Sequence, residues 1–268
     1  MKLFDSHLHL NHPDFAGHEE SVWFDANDAG VIEGVVIGYD LKSSKKAIEL
    51  ANRLPGLYAS IGVSPHDILN SENDYLDELR SMAANTNVVA IGETGLEYHH
   101  QAAPKEMQKQ YLIQHIELAN KIKKPVVIHL READDDFLDI LQTNPPSSAI
   151  LHCFTSSERV MRSSVSLGYM ISISGIVTFK KAEDIQAVSA LIPSENLLIE
   201  TDAPYLAPIP YRGKQCVPRM LVETAKRIAV LRAADPEEIG MLTTSNARRI
   251  FQIGNRDLPG GVSELSGI

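Results

Sequence analysis

Residues 4–10 read Phe4-Asp5-Ser6-His7-Leu8-His9-Leu10, an apolar run that carries two histidines two positions apart. In a β-strand successive side chains alternate between the two faces, so Asp5, His7 and His9 are predicted to share one face. The opposite face would carry the apolar side chains of the run, Phe4, Leu8 and Leu10. Two imidazoles one pleat repeat apart can close on a single divalent ion. The run therefore predicts a metal-binding strand end, provided that other parts of the chain supply further ligands.

The composition narrows the class of protein. The chain has 268 residues, of which 44% are hydrophobic, enough for one large α/β domain with a sizeable core. Its formal net charge is −10, which disfavours a protein that tracks nucleic acid along a basic groove. Any nucleic-acid contact must then be local, through a few basic groups or bound cations. Two distant cysteines, Cys153 and Cys216, cannot build a disulfide framework or a cysteine-rich zinc module.

The sequence shows no sign of membrane association. No apolar run approaches the ~20 residues that span a bilayer. The chain reaches Asp5 without a basic and then apolar leader. We therefore expect a soluble protein with no membrane partner and a cytoplasmic location, and we infer no obligate protein partner.

Short apolar runs recur along the chain, and each is followed by a stretch with helical periodicity. The predicted strands cover residues 3–9, 34–39, 57–63, 88–93, 126–130, 149–154, 169–174 and 197–201. The predicted helices cover residues 19–29, 43–53, 73–84, 105–122, 134–142, 157–167, 183–191 and 218–232. A ninth helix is predicted after Asp235, which begins an N-cap with a capping-box glutamate. We expect one domain over residues 1–253 and a flexible tail over residues 254–268.

Eight strand–helix units in this length predict an α/β fold, a single (β/α)8 or TIM barrel with an additional C-terminal helix. The strands are short and lack clean alternation, as is typical of parallel strands covered on both faces. An open, doubly wound sheet is the alternative. The two folds place chemistry differently, because a barrel gathers its reactive groups at the carboxyl ends of all its strands.

The ionisable residues of the chain fall at the ends of the predicted strands. Four imidazoles and two carboxylates would lie on one rim of a barrel, namely His7, His9, Glu93, His129, His152 and Asp202. Chance can place one or two such residues there, but it does not easily place the whole set. Six ligands are too many for one tetrahedral ion and suit two divalent ions ~3.5–4 Å apart. Histidine and carboxylate ligands leave Zn, Mn and Mg open as the metal.

The roles of these six residues follow from their chemistry. Glu93 is expected to bridge the two ions, because a carboxylate has two oxygens and its strand lies in the middle of the chain order. One ion would be held by His7, His9 and Asp202 and the other by His129 and His152. Asp202 is also expected to act as the general base that activates water. Glu93 and Asp202 are therefore the predicted catalytic residues.

Four more residues are predicted to contact the substrate. His66 follows the third predicted strand, where it can meet the substrate or cap the loop. Arg131 follows the fifth strand and can clamp a phosphate or form a surface salt bridge. Arg212 and Lys214 form a short basic loop after the eighth strand, where barrels often bind phosphate. We expect at most one of the two neighbouring histidines 99 and 100 near the site, and surface positions for the histidines at 12, 18 and 115.

Several motifs together resemble the TatD family of metal-dependent deoxyribonucleases, in the amidohydrolase superfamily. They are Asp5-Ser6-His7-Leu8-His9-Leu10, Gly92-Glu93-Thr94-Gly95-Leu96, Pro125-Val126-Val127-Ile128-His129, Leu151-His152-Cys153-Phe154, Ser174-Gly175-Ile176-Val177-Thr178-Phe179, Glu200-Thr201-Asp202-Ala203-Pro204 and Asn246-Ala247-Arg248-Arg249-Ile250-Phe251. The resemblance covers nearly the whole chain in order. It implies a (β/α)8 fold and a divalent-metal centre on the six residues above. It also implies hydrolysis of DNA phosphodiester bonds, often from a 3′ end, by a metal-activated hydroxide.

Three positions depart from the pattern of that family. Ser64 stands where the family often has histidine, Glu97 replaces the usual aspartate, and residues 215–218 differ from the usual Arg-Asn-Glu-Pro. Two enzymatic functions therefore remain open. One is a nuclease that acts on single-stranded or frayed DNA ends; the other is a hydrolase of another ester or amide, such as a D-aminoacyl-tRNA deacylase or a small-molecule amidohydrolase. A binding protein with a vestigial site is the weakest alternative, because no ligand position is lost.

Overall fold

The structure is a computed structural model that describes residues 1–72 and 74–254. Within these residues, eight strands form one sheet in chain order, and each strand is parallel to the next. The strands are β1 (Leu3–Leu8), β2 (Val31–Ile37), β3 (Leu57–Ile61), β4 (Val88–Glu97), β5 (Val126–Arg131), β6 (Ala149–Leu151), β7 (Met170–Ile173) and β8 (Leu197–Ile199). The helices are α1 (Glu19–Asp28), α2 (Leu41–Arg53), α3 (Tyr75–Met82), α4 (Lys105–Ile122), α5 (Asp134–Thr143), α6 (Glu158–Ser166), α7 (Glu183–Leu191), α8 (Leu221–Arg232) and α9 (Pro236–Ile250).

The sheet closes where the chain leaves β1 and β8. The backbone N–H of Asp202 donates to the carbonyl oxygen of His7 (2.9 Å), and that of His9 donates to the carbonyl oxygen of Ala203 (2.8 Å). These bonds join the last strand to the first. The predicted (β/α)8 barrel is therefore confirmed, with α9 as the additional C-terminal helix, and the open doubly wound sheet was the wrong alternative.

Apolar side chains fill the barrel interior near the amino ends of the strands. All eight strands contribute to this cluster, which places it inside the barrel: Phe4, Val35, Ile37, Tyr58, Val89, Ala90, Val127, Ile150, Met170 and Leu198. Helix α9 covers this end with Ile250 and Phe251. The ring of Phe251 stacks on that of Phe4 at 5.8 Å between centroids. The predicted N-cap of α9 is also confirmed, because Asp235 forms a capping box with Glu238.

The side-chain alternation predicted for the first strand was wrong for Phe4. Phe4 belongs to the interior cluster, whereas Leu8 and Leu10 pack in the larger apolar cluster. The pairing of β1 with β2 is irregular between Asp5 and Leu8, so the strict two-residue period is lost there. A strand that changes register in this way can send Phe4 inward and still bring both histidines to the site.

Strand β4 runs to Glu97, beyond the predicted end at Glu93, and it passes very close to β5. A Cβ atom at Gly92 or Gly95 would collide with the backbone of β5, at the carbonyl oxygens of Val127 and His129. Both glycines also have positive φ angles, 124° and 150°, which other residues rarely adopt. The two glycines therefore allow the close approach that sets Glu93 beside His129.

Membrane-spanning helices and the predicted C-terminal tail concern the rest of the chain. Among the described residues, none of the helices combines the length and the apolar character that crossing a bilayer requires. The predicted flexible tail, residues 254–268, lies outside the described residues except for Gly254.

Candidate metal centre

Six side chains converge at the carboxyl end of the barrel, and they are the six predicted from the strand ends. His7, Glu93 and His129 lie on strands, and the other three residues follow strand ends directly or closely: His9, His152 and Asp202. All but His129 are buried, and the side chain of His129 is 19% exposed. Two groups within this set have ligand atoms close enough to share an ion: His7, Glu93 and His152, and His7, His9 and Asp202.

The carboxylate of Glu93 lies between two pairs of imidazoles. Its Oε2 atom is 3.6 Å from Nε2 of His7 and 3.9 Å from Nε2 of His9. Its Oε1 atom is 3.2 Å from Nδ1 of His129 and 3.3 Å from Nε2 of His152. Each oxygen therefore faces a different pair, which is the arrangement expected of a carboxylate that bridges two cations.

The carboxylate of Asp202 lies beside the first imidazole pair, His7 and His9. Its Oδ1 atom is 3.4 Å from Nε2 of His9 and 3.6 Å from Nε2 of His7. The backbone of Asp202 adopts a left-handed conformation (φ 56°), which aspartate tolerates better than most residues. This geometry turns the carboxylate back over the end of β1, where both histidines lie.

The ring nitrogens within each pair face each other. Nε2 of His7 is 3.2 Å from Nε2 of His9, and Nδ1 of His129 is 3.0 Å from Nε2 of His152. Two such nitrogens either share one proton or direct their lone pairs at a common cation. Nδ1 of His7 is buried without a hydrogen-bond partner, and in the described chain no Lys or Arg pairs with Glu93 or Asp202. These donors therefore fit divalent cations.

The electrostatics of the cluster are strongly coupled. Burial raises the pKa of Glu93, but His152 and His129 outweigh it and hold that pKa well below its ordinary value. Burial lowers the pKa of His152, but Glu93 and Glu200 raise it well above the ordinary value. Burial, together with His152 and His9, keeps the pKa of His7 well below its ordinary value. Protons and cations would therefore compete for the same nitrogen atoms.

Two carboxylates behind the histidines were missed as site residues at the sequence level. Oε2 of Glu97 is 3.1 Å from Nε2 of His129, on the far side of that ring from Glu93. Oε1 of Glu200 is 3.4 Å from Nδ1 of His152 and also accepts the N–H of Cys153 at 2.6 Å. A carboxylate in this position fixes the orientation and tautomer of a ligating imidazole. The only sign of Glu97 and Glu200 in the sequence was their position in or beside a motif at a strand end.

A cavity of about 960 Å³ opens above the cluster, and two of its walls differ in chemistry. Beside His9 the wall is aromatic, with the rings of Tyr39 and Tyr205 at 5.6 and 6.2 Å from the His9 ring. Beside His129 the wall carries imidazoles, with the His66 ring 6.1 Å away and His100 next to it. The cavity can thus hold a ligand that combines a flat ring with a polar or anionic group.

The predicted substrate contacts are only partly brought to this cavity. His66 and Arg131 line it, as does His100, one of the two neighbouring histidines. His99 instead pairs with Glu132 at 2.7 Å. Two further predicted contacts, Arg212 and Lys214, lie outside the lining, and the guanidinium of Arg212 packs on the ring of Phe179 at 4.4 Å. A role for these two residues in substrate binding stays a prediction.

The predicted surface position of His115 was wrong. His115 is fully buried, and its Nε2 atom accepts the backbone N–H of Val63 at 3.1 Å. Its Nδ1 atom lies 2.7 Å from the carbonyl oxygen of Tyr111, to which it donates. Burial lowers the pKa of His115 to about 4, so the ring is neutral and structural. It supports the backbone just before the loop that carries His66.

Comparisons with known proteins identify the family of this chain. The family model of TatD-related DNases matches residues 4–252. YabD of Bacillus subtilis (strain 168), an uncharacterized metal-dependent hydrolase, is 38% identical over 253 residues, covering 94% of this chain and 99% of YabD. The uncharacterized metal-dependent hydrolase TatD of Mycobacterium tuberculosis (strain ATCC 25618 / H37Rv) is 36% identical over 263 residues, covering 94% of this chain and 98% of its own length.

A solved structure gives the same result. The crystal structure of YjjV, a TatD homologue from Escherichia coli K12, superposes with a TM-score of 0.89 at 27% identity. The superposition covers 94% of this chain and 98% of that one. A family match over nearly the whole chain, together with relatives above 30% identity, settles the family. The chain therefore belongs to the TatD-related DNase family of metal-dependent hydrolases.

Proposed function

We propose that this protein is a divalent-metal-dependent deoxyribonuclease that cleaves DNA phosphodiester bonds from the 3′ end of single-stranded or frayed DNA. The observation that carries the proposal is the position of Glu93, with one oxygen toward each imidazole pair at the floor of an open cavity. Family membership supports a nuclease in particular.

The metal ligands in this proposal are the six converging residues. One cation would be held by His7, His9 and Asp202, the other by His129 and His152, with Glu93 shared between them. When bound, such cations neutralise charge that develops on a phosphate group and make water more acidic. The nitrogen and carboxylate donors suit Zn or Mn. Mg prefers oxygen ligands, so a site with four imidazoles would bind it less tightly.

Asp202 is the proton acceptor in this proposal. Its side chain borders the cavity and is 13% exposed, so water can reach it. The Asp202 carboxylate, 3.4 Å from Nε2 of His9, can take a proton from water as that water attacks phosphorus. Glu97 holds the ring of His129 in place while this happens, and the Glu200 carboxylate lies 3.4 Å from Nδ1 of His152.

The cavity walls suit the end of a nucleic-acid strand. The exposed ring of Tyr205, next to His12, offers a face on which a base can stack. His66, His100 and Arg131 lie on the side where a phosphate would be held. Described residues of the lining include five carboxylates (Asp67, Glu93, Glu97, Glu132 and Asp202) and one guanidinium. A polyanion can therefore enter only if bound cations offset that charge, which favours a short terminal segment over an extended duplex.

A hydrolase of another ester or amide is the second candidate, and one observation favours it. The lining carboxylates Asp67 and Glu132 are not among the six converging residues and would attract a cationic amino group. A D-aminoacyl-tRNA presents such a group beside an ester bond. The same metal ligands and the same base would serve either reaction.

The deciding experiment compares both substrates on metal-loaded protein. Single-stranded oligonucleotides labelled at the 5′ end, with free or blocked 3′ ends, are incubated beside the matching duplex and a D-aminoacyl-tRNA. We expect stepwise shortening of the free single strand, protection by the 3′ block, and slower loss of the duplex. Hydrolysis of the aminoacyl ester with intact DNA would overturn the nuclease proposal. Glu93→Gln serves as the inactive control for a contaminating nuclease.

A further inference from the structure

We propose an additional divalent-cation site, the outer site, formed by His66, Glu97 and His100 at the mouth of the cavity. Oε2 of Glu97 is 3.9 Å from Nε2 of His66 and 3.4 Å from Nδ1 of His100. The three ligand atoms all lie within 4.8 Å of one another. Two imidazole nitrogens and a carboxylate oxygen form a donor set that zinc and similar transition-metal ions accept.

The centre of the outer site is a fixed carboxylate. Glu97 is 1% exposed, although it lies at the end of β4 beside an open cavity. Gln108 of α4 holds its backbone from both sides, accepting the N–H of Glu97 at 2.7 Å and donating to its carbonyl oxygen at 3.1 Å. The Oε1 atom of Glu97 accepts the backbone N–H of His100 at 3.0 Å. The Oε2 atom is thus left to face the imidazoles, without a Lys or Arg partner in the described chain.

The two histidines reach Glu97 from different loops. His66 follows β3, and its backbone N–H donates to the hydroxyl of Ser64 at 3.2 Å. His100 follows β4, and its ring centroid is 5.6 Å from that of His66. Their side chains are 45% and 53% exposed, so a cation can enter from solvent. Exposed ligands hold a cation less tightly than buried ones, and they leave coordination positions open toward the cavity.

The outer site is separate from the Glu93 cluster, by which we mean the six converging residues around Glu93, although His129 joins the two. The Nδ1 atom of His129 faces Glu93, and its Nε2 atom faces Glu97 at 3.1 Å. One ring thus contacts both carboxylates through opposite edges. The competing interpretation is that Glu97 only orients His129, with His66 and His100 nearby as solvated side chains. The two interpretations differ in what His66 and His100 contribute.

The test measures metal content, and it does not depend on the proposed DNA substrate. Metal-stripped protein is titrated with Zn²⁺ to saturation, and bound zinc is counted by elemental analysis after equilibrium dialysis. Co²⁺ absorption serves as a second measurement of the ligand environment. The variants are His66→Ala and His100→Ala. His99→Ala is the matched control, because His99 is an equally exposed neighbour that pairs with Glu132 instead.

We expect the two variants each to bind about one equivalent less than the wild type, and His99→Ala to bind as much as the wild type. Glu93→Gln should retain the equivalent that His100→Ala loses, which separates the outer site from the Glu93 cluster. Unchanged zinc content in either His66→Ala or His100→Ala overturns the outer site. Failure of the DNA assay leaves this count unaffected, so the two proposals can fail independently.

Discussion

The two ends of this barrel are built from the same strands and follow opposite rules. At the amino ends, apolar side chains interlock and α9 closes over them, with Phe251 stacked on Phe4. At the carboxyl ends, imidazoles and carboxylates are packed at 3.0–3.9 Å, and some buried polar atoms, such as Nδ1 of His7, have no partner. The apolar cluster at the amino ends is satisfied by packing. At the carboxyl ends, the side chains are arranged so that bound cations can satisfy them.

Stability and chemistry are located at opposite ends of the barrel. Burying apolar surface stabilises the fold by about 25 cal/mol per Å². Burying charged groups costs free energy unless they are paired or bind a metal. The amino-terminal end can therefore offset the cost of the carboxyl-terminal end. Substitutions at the amino-terminal end should therefore change the free energy of unfolding, and substitutions at the carboxyl-terminal end should change metal content and activity.

The largest effect is expected from Glu93→Gln. The neutral amide has only one oxygen, and its NH2 group cannot ligate a cation, so at least one cation should be lost. Losing metal chemistry worth several kcal/mol would reduce hydrolysis on the order of 10³-fold. Metal analysis and activity are measured together. Glu132→Gln, another cavity carboxylate, is the control. A Glu93→Gln protein with full metal content would contradict the bridging role.

Phe251→Ala should affect the opposite end alone. Removing a buried phenyl ring costs about 3–5 kcal/mol of unfolding free energy, and Phe251 is only 2% exposed. We expect a large loss in urea unfolding with unchanged metal content in the folded protein. Phe24→Ala removes a ring that is 46% exposed and should change stability little. Loss of metal from folded Phe251→Ala would show that the two ends are coupled.

His115 predicts a defined pH dependence of stability. Its pKa is about 4 in the folded protein, below the ordinary value of about 6.5, so the unfolded chain binds the proton more readily. Its contribution is fully present above about pH 6.5 and is lost as pH falls through 4, with a total of about 3 kcal/mol. The comparison is urea unfolding of metal-free wild type and His115→Gln from pH 7 to 4. The variant should be less stable at pH 7 and lose less on acidification; parallel curves would refute the assignment.

Asp202→Asn tests the proposed base. The variant should lose roughly 10²-fold or more in turnover, the usual contribution of general-base catalysis. Its thermal stability should change little. Asp67→Asn, at a cavity carboxylate that accepts the Ser64 hydroxyl at 2.7 Å, is the comparison. Normal turnover in Asp202→Asn would mean that another group takes the proton.

The smallest effect concerns salt. Because the slope of log affinity against log salt follows the number of neutralised phosphates, about two or three contacts should give a shallow slope for DNA. Arg131→Gln should reduce that slope by about one contact, because Arg131 lines the cavity. Arg212→Gln tests the predicted contact from the loop after β8 and should reduce the slope less than Arg131→Gln does, because that guanidinium packs on Phe179. An equal reduction in both variants would move the substrate path toward the loop after β8.

The fold of this protein, and the six residues that converge at its candidate metal centre, could be predicted from the sequence. Eight repeated strand–helix units predict a closed parallel barrel, and a closed barrel gathers its strand ends on one rim. That rule needs no contact information, so His7, Glu93 and Asp202 could be placed together although they are far apart in the chain. The family resemblance rests on the same local motifs, which the family match over residues 4–252 confirms.

Which side-chain atoms face each other followed only from the tertiary structure. The irregular pairing of β1 turns Phe4 inward, against the alternation that local sequence predicts. Burial of His115, the separation of Arg212 from the cavity, and the approach of Glu97 to His129 all depend on contacts between distant segments. Periodicity fixes a residue's face on its own element. Strand register and barrel closure fix its neighbours, and those neighbours set its charge and its partner.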